Sequence, residues 1–163
     1  MKPHQSGKIK VTTCTINIGN GEGNRNLVLE VLWFVDIFFI LDCLTNNRGE
    51  YVEHENHEYE LVSSVKNGDV EVYVRTSMVG WITIESHWTE GVILKYEDEE
   101  TGITKRIGAT YIRPLRESNK VEEIMEKMKG CELIIGDLNA RNPMWGKEAG
   151  DNRTNAYGKT LKN

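Results

Sequence analysis

The run DIFFILDCL (36–44) carries apolar residues at consecutive positions, where a half-exposed strand would alternate. An unbroken apolar run of strand length belongs to a strand covered on both faces. A second run, CELIIGDLN (131–139), reads the same way. Each follows a segment that reads as a helix. RNLVLEVLWF (25–34) precedes the first, and SNKVEEIMEKMKG (118–130) precedes the second. In the latter, Ser118 or Asn119 can cap the start, Val121, Ile124, Met125 and Met128 line one face, and Gly130 ends the helix.

The rest of the chain is mostly strand. KIKVTTCTINI (8–18) is rich in β-branched residues and opens the fold, followed by a glycine-rich turn at 19–24. After a polar loop (45–60), the segments 59–65, 69–76, 80–88 and 91–114 read as successive strands. Asn-Gly, Val-Gly, Glu-Gly and Thr-Gly turns separate or interrupt them. Val70, Val72 and Val74 share one strand face. The order is β-α-β, a run of β, then α-β. It predicts an α/β fold, a two-sheet sandwich flanked by helices rather than a doubly wound sheet.

At 163 residues the chain fits a single domain, 1–163. A net charge of −5 and a pI near 5.5 argue against nucleic-acid binding through bulk positive charge. They leave room for an enzyme that meets phosphate through a bound cation. Cys14, Cys43 and Cys131 are odd in number and widely spaced, which disfavours a disulfide framework or a zinc site and suits an intracellular protein of nucleus or cytoplasm. The apolar stretch 27–44 contains Glu30, Asp36 and Asp42, each costing about 3 kcal/mol at a bilayer centre, so no membrane span is expected. His54 and His57 lie in an acidic loop and read as solvated.

Polar residues stand where strands end: Asn17 after TTCTI, Asp42 after IFFIL, Tyr111 after IGAT, and Asp137 and Asn139 after LII. Singly, each has an ordinary explanation, such as a turn residue, a solvated terminus, packing or an Asx turn. Converging at one sandwich edge, they would offer hard oxygen ligands and a carboxylate base.

IIGDLNARNPMWG (134–146) resembles the endonuclease/exonuclease/phosphatase superfamily, and within it the endonuclease domain of non-LTR retrotransposons. Gly136, Asp137, Asn139, Ala140, Arg141, Trp145 and Gly146 match its G-D-F-N-A-R-H-x-x-W-G run, and NAYGKTL (155–161) matches N-x-x-G-x-x-L. TINIG (15–19), VDIFFILDC (35–43), VEVYVR (70–75) and IGATYIRP (107–114) are similar to further family strands in the same order.

The resemblance implies a deoxyribonuclease I-like fold and phosphodiester hydrolysis on DNA with Mg²⁺ or Mn²⁺. Asn17 and Asp42 would hold the metal, and Tyr111 would touch the scissile phosphate. Asp137 would orient or deprotonate water, and Asn139 would bind the phosphate. Arg141, Asn142, Trp145 and Asn155 would bind substrate. Two departures stand out. Asp42 replaces a glutamate one methylene longer, and Asn163 precedes the place where the family's last strands and Ser-Asp-His motif would come. The domain is therefore expected to be incomplete at its C-terminus, lacking the last strands, with unpaired sheet edges open to self-association. An inactive fragment serving as a binding module and a phosphoesterase of the same superfamily are the alternatives.

Overall fold

The computed structural model describes residues 10–19, 22–43, 58–97, 102–114 and 119–140. Among these residues, eight strands form two four-stranded sheets. The first contains β1 (Thr13–Asn17), β2 (Ile37–Leu41), β3 (Tyr59–Ser63) and β4 (Val70–Arg75), in the order β1-β2-β4-β3. The second contains β5 (Ile82–Trp88), β6 (Gly91–Glu97), β7 (Thr104–Tyr111) and β8 (Leu133–Asp137), in chain order. Helix α1 (Glu22–Val31) connects β1 to β2, and α2 (Asn119–Lys127) connects β7 to β8.

Those two connections are the parallel ones; every other pair is antiparallel. The topology follows from connection length. A tight turn such as Thr89-Glu90 can only reverse the chain, whereas a helical crossover can return it in the same direction. Each sheet therefore has one β-α-β corner. The second sheet read backwards, β8-β7-β6-β5, repeats the pattern of the first, β1-β2-β4-β3.

Alternation sorts the side chains into three cores. Ile37, Phe39 and Leu41 of β2 and Val70, Val72 and Val74 of β4 meet Val92, Leu94, Ile107, Ala109 and Tyr111 between the sheets. On the outer face of the first sheet, Phe38, Ile40 and Tyr73 pack with Leu29 of α1. On the outer face of the second, Ile93 and Ile112 pack with Val121 and Ile124 of α2 and with Met128 just after it. Strand β2 is thus buried at every position, as its unbroken apolar run requires. Gly130 follows α2 at φ +83°, a left-handed turn that glycine adopts without steric cost.

Two sequence expectations need adjustment. The strand expected over 80–88 starts later, because Thr76–Trp81 winds into a 3-10 helix before β5. The run ending at Asp137 is not covered on both faces throughout. Among the described residues β8 pairs with β7 alone, so it is an edge strand, and Leu133 is 42% exposed. Its apolar residues serve α2 on one side and the inter-sheet core on the other, without a second neighbour. The stretch 27–44 divides into helix and strand, and among the described residues no helix is long and apolar enough to cross a membrane.

Candidate active site

The two parallel pairs end at the same edge of the sandwich. In the first sheet Asn17 is in register with Leu41, and the Ile18 amide donates to the Leu41 carbonyl at 3.2 Å, leaving Asp42 as the next residue of β2's chain. In the second sheet Tyr111 is in register with Asp137, and the Ile112 amide donates to the Asp137 carbonyl at 2.9 Å. Carboxyl ends of parallel strands, where backbone pairing stops and loops diverge, are where α/β sheets open crevices.

Side-chain parity explains how four of the polar residues reach this crevice. Successive strand side chains point to opposite faces. Val11 packs inward while Cys14 and Ile16 pack outward, so Asn17 falls on the inward set. Ala109 and Tyr111 are inward, and so is Ile135, which places Asp137 and Asn139 on the same side. Asp42 has the wrong parity, because its neighbour Leu41 is inward. Its backbone breaks the alternation at φ +55°, a left-handed conformation that Asp and Asn tolerate better than most residues. The turn is fixed by the Asp42 amide donating to the Asp69 carbonyl at 2.9 Å.

The Tyr111 hydroxyl is the meeting point. The side chains of Asn17, Asn139 and Asp42 lie close enough to it to influence its protonation or have theirs influenced by it. Burial raises the Tyr111 pKa first, and the Asp42 and Asp137 charges add to it. Burial also raises the Asp42 carboxyl above the ordinary aspartate value. Asp69 and Asp137 push it the same way, while Arg113 and the Tyr111 hydroxyl oppose. Local side-chain-to-backbone turns also form here. Asn17 Oδ1 accepts from the Gly19 amide at 2.9 Å, and Asp137 Oδ1 accepts from the Asn139 amide at 2.8 Å. Asn139 sits at φ +48° and donates through Nδ2 to the Ile112 carbonyl at 2.8 Å. The Asx-turn reading and the site reading therefore describe the same residues: the turns hold the amides beside Tyr111.

Asp69 and Arg113 also stand at this edge, and no motif of the sequence marks either as a site residue. Asp69, fully buried at the head of β4, accepts Arg113 Nε on both carboxylate oxygens at 2.9 and 3.0 Å, and Arg113 Nη2 as well. In the sequence Asp69 is simply the first residue of the strand segment 69–76. The position of Arg113, two after Tyr111 in an extended segment, could have marked it as lying on the same side. Gly136 pairs with Thr110 at φ +149°, and a Cβ there would lie 1.9 Å from the Thr110 carbonyl oxygen. That close approach is why a glycine precedes Asp137.

Asp42 and Asn17 supply hard oxygen donors beside mutually repelling carboxylates, which a cation would relieve. Among the described residues, no three or more His, Cys, Asp or Glu groups form a metal cage. The donor set fits an Mg²⁺-like ion that takes one or two protein oxygens and completes its shell with water and phosphate. Arg141, Asn142, Trp145 and Asn155, along with His54 and His57, lie outside the described residues.

No protein-family model and no curated protein sequence matches the chain. Solved structures do. The chain is similar to the endonuclease domain of TRAS1, a telomere-specific non-LTR retrotransposon, at 14% identity and TM-score 0.65, covering 93% of this chain and 69% of that one. A humanized D. rerio TDP2 is similar at 14% identity and TM-score 0.57, covering 86% and 66%. The mannosyl-6-phosphatase of Bacteroides thetaiotaomicron is similar at 13% identity and TM-score 0.55, covering 94% and 70%. The chain thus spans about two thirds of the length of each of these structures. With two facing sheets, helices outside them and the carboxyl ends of both parallel pairs at one edge, the chain has the endonuclease/exonuclease/phosphatase-type fold.

Proposed function

We propose that the chain is a metal-dependent phosphodiesterase domain acting on DNA, of the retrotransposon-endonuclease type. The observation that carries this reading is the clustering of Asn17, Asp42, Asp137 and Asn139, from strand ends of both sheets, around the Tyr111 hydroxyl. Asn17 and Asp42 would hold Mg²⁺ or Mn²⁺, which when bound offsets phosphate charge and polarises the P–O bonds. Tyr111 would donate its hydroxyl proton in a hydrogen bond to a phosphate oxygen, so its ordinary, protonated state is the useful one. Burial and the flanking carboxylates favour that state. Asp137 would orient a water for in-line attack and accept its proton. Asn139, locked by its turn and by Ile112, would fix the phosphate on the opposite side of Tyr111.

Likeness to a phosphatase at a similar level keeps a second reading, a phosphomonoesterase using the same residues. Both are tested by incubating the chain with supercoiled plasmid and with a sugar phosphate, in Mg²⁺, in Mn²⁺ and in EDTA. Nicking in metal alone, lowered about 10²–10⁴-fold by Asp137→Ala, is the expected result. Nicking that survives that substitution removes Asp137 from the mechanism. Release of phosphate from the sugar without nicking favours the second reading, and neither activity with either metal favours a non-catalytic binding module.

A further inference from the structure

The Asp69–Arg113 pair joins the two sheets beneath the candidate site. Asp69 precedes β4 in the first sheet and Arg113 follows β7 in the second. Its two ends differ in environment. The Asp69 side chain is fully buried, while that of Arg113 is 31% exposed. The fork is therefore anchored from inside, and its outer part is partly exposed.

Position points the same way. Arg113 is two residues beyond Tyr111, the hub of the cluster. The residue anchoring it, Asp69, also fixes the Asp42 turn through its carbonyl at 2.9 Å. Arg113 interacts electrostatically with both Asp42 and Tyr111. Asp69 accepts both Nε and Nη2, so the guanidinium plane is oriented before any ligand arrives. A rigid planar guanidinium beside a phosphate site is the group best suited to bind phosphate oxygens.

We propose that Arg113, locked on Asp69 across the two sheets, is a further phosphate-binding residue of this site. The inference rests on the phosphate-hydrolase reading for its ligand, and it adds a fixed positive charge that this reading did not contain. Asp69 is the positioning residue. With the guanidinium held in place, no side-chain ordering accompanies phosphate binding.

Arg113→Met alone would strand a buried carboxylate and unfold the protein for reasons unrelated to phosphate. The test therefore uses the double variant Asp69→Asn/Arg113→Met, with Arg113→Lys as a second variant that keeps the charge but not the fork. Inorganic phosphate is titrated into each folded protein by calorimetry, in Mg²⁺ and in EDTA, with circular dichroism as the folding control. Loss of charge-assisted hydrogen bonds predicts phosphate affinity weaker by roughly 10-fold or more in the double variant, and an intermediate loss in Arg113→Lys. Wild-type affinity in the double variant, or no phosphate binding by the parent chain, overturns the proposal. If the double variant fails to fold, Arg113→Lys decides: unchanged phosphate affinity there overturns the proposal too. Plasmid nicking by the parent separates the two claims. Nicking together with unchanged phosphate affinity in the double variant sinks only the role of Arg113. Weakened phosphate binding in a parent that never cleaves sinks only the hydrolase reading.

Discussion

The two β-α-β corners deliver their polar residues to the same edge by different means. Under α2 the contact is centred on apolar side chains: Val121, Ile124 and Met128 lie on Ile93 and Ile112, with Lys120 reaching Glu90 at 3.4 Å beside them, and the outer face carries exposed ion pairs such as Lys127–Glu123 at 2.8 Å. Under α1 a buried ion pair shares the contact with Leu29. Arg25 Nε meets Glu71 Oε2 at 3.0 Å, Arg25 Nη2 donates to Glu71 Oε1 at 3.2 Å, and the Tyr73 hydroxyl donates to Glu71 Oε2 at 3.3 Å. The outer side of the α1 corner exposes Leu27, Val31, Trp33 and Phe34. The α2 corner follows the ordinary amphipathic rule, and the α1 corner inverts part of it. Topology and register, rather than one packing recipe, bring the strand ends to the site.

The backbone is also used differently. The second corner relies on a close strand approach at Gly136, the first on a left-handed Asp42. Three substitutions separate these devices. The largest effect is expected from Gly136→Ala, whose Cβ would collide with the Thr110 carbonyl and force β8 away from β7. A loss on the order of 4 kcal/mol is expected, read by chemical denaturation. A variant as stable as the parent would show that the second corner does not depend on that approach.

Arg25→Met comes next and strikes the first corner alone. It leaves Glu71 buried and unpaired, costing about 3 kcal/mol at neutral pH. Burial already raises the Glu71 pKa, with Arg25 opposing it, so removing Arg25 raises it further. Above the folded pKa the ionised carboxylate disfavours the folded state. As pH falls through that value Glu71 takes up a proton and the deficit shrinks. Denaturation midpoints across acid and neutral pH check this; a deficit that does not vary with pH would mean that the lost packing of the Arg25 stem dominates.

The smallest effect carries the opposite sign. Folding raises the Asp42 pKa, so ionised Asp42 costs stability that is absent while the group is protonated and appears as pH rises through the folded pKa. Asp42→Asn removes that charge and keeps a residue that accepts the left-handed turn. It should gain about 0.5–1 kcal/mol at neutral pH while abolishing metal-dependent nicking. Thermal melts with and without Mg²⁺ test both halves, and a destabilised Asp42→Asn would show that Asp42 is there for structure.

Much of the fold was legible because its determinants are local. The unbroken apolar run at 36–44, the capped amphipathic helix before Cys131 and the glycine turns each specify an element from neighbouring residues. Strand-end polar residues were legible for the same reason. Parity then places Asn17, Tyr111, Asp137 and Asn139 on the inward side, whereas Asp42 joins them only through a backbone angle that no alternation pattern encodes. Glu71 looked like any polar residue of an alternating strand, and its burial beside Arg25 depends on where α1 lands.

By itself, then, the sequence determined the elements, their order and the chemistry standing at the strand ends, since periodicity and turn preference act over a few residues. Tertiary structure alone decided that Asn17 and Tyr111, distant in sequence, come together, that β8 has one strand neighbour among the described residues, and that Arg113 finds Asp69 across the sandwich. Those outcomes are set by burying three cores at once, a long-range free energy that no short stretch of chain can express.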